Sequence, residues 1–324
     1  MNTRRVRRLG VSAGIALGLA LGFLPAGQAQ AAATHVRCHD IHGLAAAISQ
    51  ANYSGHGRIQ LASGCTYTLA RAAEDTVGLP VITGDVRISA SPRPAVIERG
   101  YGAPDFRIFG VASGGRLTLD RLVITGGSVE ETGGGILNEG TLALNHTVVR
   151  GNHAAVFGGG IHNVGTLTMR GGAVRDNASV LDGGGVENWP TGTATIRHAS
   201  ITGNTSGNLG GGIDNFANST LRLTDTVVRG NRAVLGGGLD NFVGSTMILT
   251  RSVVSHNTAS NAGGGIFADE TGGPVTLRYS AVVHNRPDNC AGGNPVPGCH
   301  DTAASRRSVT AHRVDRQKAL GGFR

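Results

Sequence analysis

GGGIHN, residues 158–163, is one of six near-copies of a single phrase. GGGILN stands at 133–138, GGGVEN at 183–188, GGGIDN at 210–215, GGGLDN at 236–241 and GGGIFA at 263–268. Successive copies begin 25, 25, 27, 26 and 27 residues apart. Self-similarity at this period marks a solenoid, in which each repeat is one coil that leans on its neighbours. Downstream of each phrase a Gly or Ser is followed, twelve residues later, by a second Asn, as from Gly165 to Asn177 and from Ser219 to Asn231.

Between those marks the apolar residues alternate. Leu142 and Leu144, Leu167 and Met169, Leu221 and Leu223, and Met247 and Leu249 sit at i, i+2. A branched residue then stands three before the second Asn: Val149, Val174, Ile201, Val228, Val254 and Val282. Period two is the pattern of a strand. The expected fold is therefore all-β: a right-handed, single-stranded parallel β-helix with three short strands per coil of 25–27 residues. Coils stack about 4.8 Å apart, so like residues lie over like. Ile136, Ile161, Val186, Ile213, Leu239 and Ile266 form one inner row. The few aliphatics of one coil cannot offset the entropy of ordering it, so only stacked coils are stable.

The Asn rows read as structural, because Asn tolerates the left-handed backbone of a tight turn and stacked amides bond along a ladder. The Gly triplets read as bends without Cβ. No helix follows any triplet, which sets aside a phosphate-binding loop.

Residues 1–31 have the form of an export leader, with Arg4, Arg5, Arg7 and Arg8, an apolar stretch Leu9 to Leu24, and Ala29-Gln30-Ala31 as a cleavage site. The paired arginines allow twin-arginine export as well as the general route. The mature protein is thus expected outside a bacterial cell, with no membrane-spanning helix. Residues 32–114 read as an N-terminal cap with irregular first coils, 115–285 as regular coils, 286–300 as a closing loop and 301–324 as a disordered basic tail. Within the cap, residues 40–52 have a helical apolar face of Leu44, Ile48 and Ala51, suited to covering an open solenoid end.

The net charge is +8, but leader and tail carry it: residues 32–300 hold 19 basic and 19 acidic residues. That balance argues against a nucleic-acid groove. Of the four cysteines, a rigid stack of coils separates Cys38 and Cys65 from Cys290 and Cys299. The expected disulfides are 38–65 and 290–299, each closing one end, in an oxidising compartment. No CxxC spacing suggests a metal, and no cofactor is implied.

With repeats and ends in view, the chain resembles exported actinobacterial right-handed β-helix proteins of the pectin-lyase-like fold. Its GGGIHN with RDN and GGGLDN with SHN are similar to the GGA-I and xxN repeats of chlamydial polymorphic outer-membrane proteins. The likeness covers about 38–299 and implies fold rather than activity. The chain departs from the polymorphic proteins in showing no C-terminal barrel, so their autotransport does not carry over. Pectate lyases and polygalacturonases share the fold. Gly55-His56-Gly57 followed by Arg58-Ile59-Gln60 approaches the GHG and RIK words of polygalacturonases, but the NTD and DD words are missing.

Function is expected on the outer rows. The residue between Ile and Asn of each phrase reads Leu137, His162, Glu187, Asp214, Asp240 and Phe267, and alternation turns it away from the aliphatic row. The residue after the Asn is Trp189, Phe216 and Phe242 on the three acidic coils. Stacked like charges oppose stability. Glu187, Asp214 and Asp240 are therefore candidate catalytic carboxylates, since adjacent coils approach the spacing of retaining glycosidases and alternate coils that of inverting ones. Trp189, Phe216, Phe242 and His162 are candidate ligand-binding residues for a sugar face. The Arg150, Arg175 and Arg229 row reads as a solvated face. The Thr141, Thr166, Thr193, Thr220 and Thr246 row has a second Thr on only two coils, at Thr168 and Thr195, too few for an ice-binding array. The leading expectation is binding of extracellular or cell-surface glycan without catalysis. The alternatives are a polysaccharide hydrolase or lyase, and a purely structural or adhesive surface protein. The oligomeric state is left open.

Overall fold

The computed structural model describes residues 33–301. The leader, its export route and the tail beyond Asp301 lie outside the described residues. The rest is a parallel β-solenoid of about 10 turns. One coil shows the plan. Ile161–Asn163 belongs to an eight-stranded sheet, Thr166–Arg170 to a ten-stranded sheet and Ala173–Arg175 to a nine-stranded sheet. A fourth strand, Ala178–Ser179, adds a six-stranded sheet beyond the three strands expected per coil. It is two residues long and carries too little alternation to be read from sequence.

The rows stack as the repeats require. Ile136, Ile161, Val186, Ile213, Leu239 and Ile266 pair in register and are all fully buried. Val149, Val174, Ile201, Val228, Val254 and Val282 form the matching row of the nine-stranded sheet. The first coils are irregular in their loops but not in their strands. His56–Leu61, Asp85–Ala90 and Arg116–Asp120 are consecutive, in-register members of the ten-stranded sheet. Gly55-His56-Gly57 thus lies at the start of a strand.

Both ends are closed. The helix Ile41–Tyr53 starts at Asp40, whose carboxylate accepts the Gly43 N–H at 2.7 Å, and it buries Leu44, Ala47, Ile48 and Ala51. Such a cap contributes about 1 kcal/mol. Cys38 is joined to Cys65, and Cys290 to Cys299, as the separation of the pairs required. Val296 and Cys299 of the closing loop pack against the main core.

The Asn rows are hydrogen-bonded ladders. Nδ2 of Asn138, Asn163, Asn188 and Asn215 each donates to the Oδ1 of the next Asn, at 2.6, 2.7, 2.8 and 2.8 Å. The second row runs from Asn152 to Asn285 in the same way. It ends on Asn289, whose Oδ1 accepts from the Asn285 backbone. In this second row the left-handed residue is not the Asn but the one before it, as at Asp176 (φ 55), Gly203 (φ 66) and His256 (φ 56). The amide is spent on the ladder inside, so the turn falls to its exposed neighbour.

The three glycines of a triplet answer different needs. Gly183 has φ 64 and faces the Glu187 side chain, where its own Cβ would stand 2.7 Å away. Gly184 has ordinary φ but no room: a Cβ there would strike the carbonyl oxygens of Thr205 and Gly211 on the next coil. Backbone cannot yield as a side-chain tip can, so Gly184→Ala is expected to force adjacent coils apart. Its thermal midpoint should fall below even that of Gly230→Ala, which strains a left-handed backbone (φ 67) but meets no atom within 4 Å.

Candidate functional site

The row expected to face solvent does not. His162 is 3% exposed, Phe267 3%, and Glu187, Asp214 and Asp240 are each 0% exposed. Only Leu137, on the first regular coil, is half-buried. These side chains do point away from the main core, as alternation requires, but what they meet is a second layer. The segment before each Gly triplet folds back over the outer face of the eight-stranded sheet. Its last residues, Phe157, Asp182, Leu209, Leu235 and Ala262, are themselves buried. Leu209, Leu235, Ala262 and Phe267 form a small apolar cluster separate from the main core, with Phe242 packed against it.

The sequence carries one faint sign of this layer: the position just before each triplet is apolar in four of its last five occurrences. The exception is Asp182. Its Oδ1 accepts from Asn208 Nδ2 at 2.8 Å and from the Leu209 N–H at 2.9 Å, so it ties the covering segments of two coils together. Asp288 does the same at the top, accepting from the Gly263 and Gly264 N–H groups. Burial pushes the Asp288 carboxyl above its usual range, against the pull of those two donors.

Within the layer, Glu187, Asp214 and Asp240 are in register on consecutive coils. His162 lies one coil below Glu187. Its ring is 6.3 Å from Phe157 and 6.0 Å from Trp189, centre to centre. Burial, with a smaller contribution from the Arg107 guanidinium, lowers its pKa to about 3. Arg107 is itself buried, and reaches Glu131 at 2.6 Å and Thr76 at 3.1 Å.

A folded ring that holds its proton less tightly than the unfolded one makes the unfolded chain protonate first as pH falls. His162 therefore costs no stability above its ordinary value of 6.5 and erodes stability progressively between there and about 3. The slope is about 1.4 kcal/mol per pH unit. His162→Leu should flatten the fall of the thermal midpoint between pH 6.5 and pH 4. An unchanged pH profile in that variant would place the ring in water.

The aromatic residues fare differently from the acids. Trp189, Phe216 and Phe242 are half-buried, at the corner where the eight-stranded sheet turns into the ten-stranded one. Phe216 and Phe242 are 6.1 Å apart, and Trp189 leans on Phe157 at 6.1 Å. Four residues on from each ring stand Thr193, Thr220 and Thr246, in register along the ten-stranded sheet. The corner thus offers ring surface beside a column of hydroxyls. The rings border the buried row, Trp189 on His162 and Phe242 on Phe267 at 5.9 Å, but the acids of that row are sealed whereas the rings are half-exposed.

Among the described residues no three His, Cys, Asp or Glu converge to hold a metal ion, and no helix is long and apolar enough to cross a membrane. The fold defines the class: a parallel β-solenoid with a disulfide at each end. Comparison with protein-family models, curated proteins and solved structures finds no match to the chain.

Proposed function

We propose that this is an exported, non-catalytic β-solenoid that binds extracellular or cell-surface polysaccharide along its corner of aromatic residues. The observation that supports it is the placement of Trp189, Phe216 and Phe242, half-buried on three successive coils beside aligned threonines. Sugar rings present an apolar face to an aromatic ring and hydroxyls at the edge, which that pairing suits. The two disulfides fit an oxidising compartment.

The hydrolase alternative requires carboxylates within reach of a glycosidic oxygen. At 0% exposure Glu187, Asp214 and Asp240 are kept from a polymer by the covering layer, so the reading offered is binding without turnover. Trp189→Ala should reduce retention on a binding polysaccharide at least tenfold in affinity electrophoresis, and Glu187→Gln should leave retention unchanged. Polysaccharide that is shortened on incubation, and spared by Glu187→Gln, would defeat the non-catalytic reading. Retention indifferent to Trp189, Phe216 and Phe242 together would remove the corner from it.

A further inference from the structure

Charge in the regular coils is balanced in sequence and unbalanced in space. Residues 140–285 contain nine arginines and eight acidic residues. Four of those acids, Asp182, Glu187, Asp214 and Asp240, are buried beneath or within the covering layer. None of the nine arginines is buried. The outside of these coils therefore presents nine guanidinium groups against four carboxylates. The near-neutral composition of the body conceals a basic surface.

The excess has a place. Five arginines, Arg170, Arg197, Arg222, Arg251 and Arg278, lie on the outer face of the ten-stranded sheet or in its adjoining turn, one on each of five consecutive coils. All five are exposed. The one acid among them, Asp225, is held by Arg251 through two hydrogen bonds at 2.8 and 2.7 Å. The other four arginines make no ion pair among the described residues. Coils are about 4.8 Å apart, so the five cations span roughly 19 Å along the stack. Arg170 and Arg197 are direct register partners, an arrangement that repels and that stability alone would not choose. Among the guanidinium groups stand the hydroxyls of Thr168 and Thr195, in register with Arg222, and of Thr224 and Thr250, in register with Arg197 and Arg278.

We infer that this sheet face is a track for a linear anionic polysaccharide, one bearing carboxylate or sulfate groups, laid along the stack of coils. The inference rests on the proposed polysaccharide binding and names its ligand class. Arginine forks match planar or tetrahedral anions two bonds at a time, and threonine hydroxyls meet sugar hydroxyls between them. The aromatic corner borders the same face, so rings grip the sugar while guanidinium groups read its charge. A partner of low charge would leave the arginine row unrelieved.

Dextran sulfate and neutral dextran of equal length make a matched pair of probes. The native protein should be retained by the sulfated chain and at least tenfold less by the neutral one. Release of counterions from about four contacts should weaken binding about 50-fold between 50 and 200 mM salt. The triple variant Arg170→Gln, Arg197→Gln, Arg222→Gln should lose at least tenfold in affinity. Arg150→Gln with Arg229→Gln, on the nine-stranded sheet, should lose less than twofold. Equal losses in the two variants, or equal binding of both dextrans, would overturn the track. Competition by poly(dT) as strong as by free dextran sulfate would replace the polysaccharide by any polyanion and overturn it too. Neutral glycan retained through Trp189, with the triple variant unaffected, would spare the binding corner and remove the track. Arginine-dependent retention unchanged by Trp189→Ala would spare the track and remove the corner.

Discussion

Ile213→Asp should unfold the solenoid. Ile213 is fully buried and pairs in register with Val186 below and Leu239 above. A carboxylate there faces only aliphatic neighbours and has no counter-charge within the row. An uncompensated buried charge costs at least about 3–5 kcal/mol, a large fraction of the 5–15 kcal/mol by which domains are stable. Coil stability is borrowed from nearest neighbours, so a failed coil in mid-stack withdraws support from both sides. The expected result is loss of the β circular-dichroism signal at a temperature where the parent is fully folded. A midpoint within a few degrees of the parent would contradict the assignment of the row to the core.

Asn204→Ala should come next in severity. Oδ1 of Asn204 accepts from the Asn177 backbone N–H and from Asn177 Nδ2, both at 3.0 Å. Its Nδ2 donates to the Val174 carbonyl and to Asn231 Oδ1, again both at 3.0 Å. All four contacts lie in a site with no solvent exposure. Truncation leaves the Asn177 N–H without its acceptor in the dry interior, where an orphaned group costs about 1–3 kcal/mol. It also removes one bond each from the Val174 carbonyl, from Asn177 Nδ2, which keeps the Val149 carbonyl, and from Asn231 Oδ1, which keeps the Asn204 N–H. One orphaned donor and three lost bonds together amount to about 2 kcal/mol at the low end. Asn204→Asp should be no better, because it keeps the acceptor, loses both donors and buries a charge. A loss below 1 kcal/mol in chemical denaturation for Asn204→Ala would mean that the ladder is decoration rather than support.

The main core is legible because it is written in one repeating code. The phrase at 158–163 sets the coil length, and the alternation around Leu167 and Met169 sets which side faces in. Any residue alike from coil to coil, such as Ile161 or Asn177, announces its row by repetition. The disulfides follow from the same geometry, since no coil stack lets Cys65 reach Cys290. The covering layer is not legible, for a physical reason. Period two tells which face of a strand a residue occupies, not what lies on that face. Glu187 and Asp214 read as surface because carboxylates are seldom fully buried. The contrary sign, Phe157, Leu209 and Leu235 at the same step in their coils, is short and interrupted by Asp182. The charge asymmetry is hidden with it, because a count of acids weighs Asp214 and Asp225 alike although one is sealed and the other is only half-buried.

Carbodiimide coupling of an amine tag to exposed carboxylates, mapped by peptide mass, tests the sealed acidic row most directly. The binding function without catalysis and the outward excess of arginine both depend on that row. Native protein should be tagged at Glu270 and Asp176 and left untouched at Glu187, Asp214 and Asp240, which should react only after denaturation. Native tagging of Glu187, Asp214 or Asp240 at the rate of Glu270 would return the acids to the surface and contradict the account.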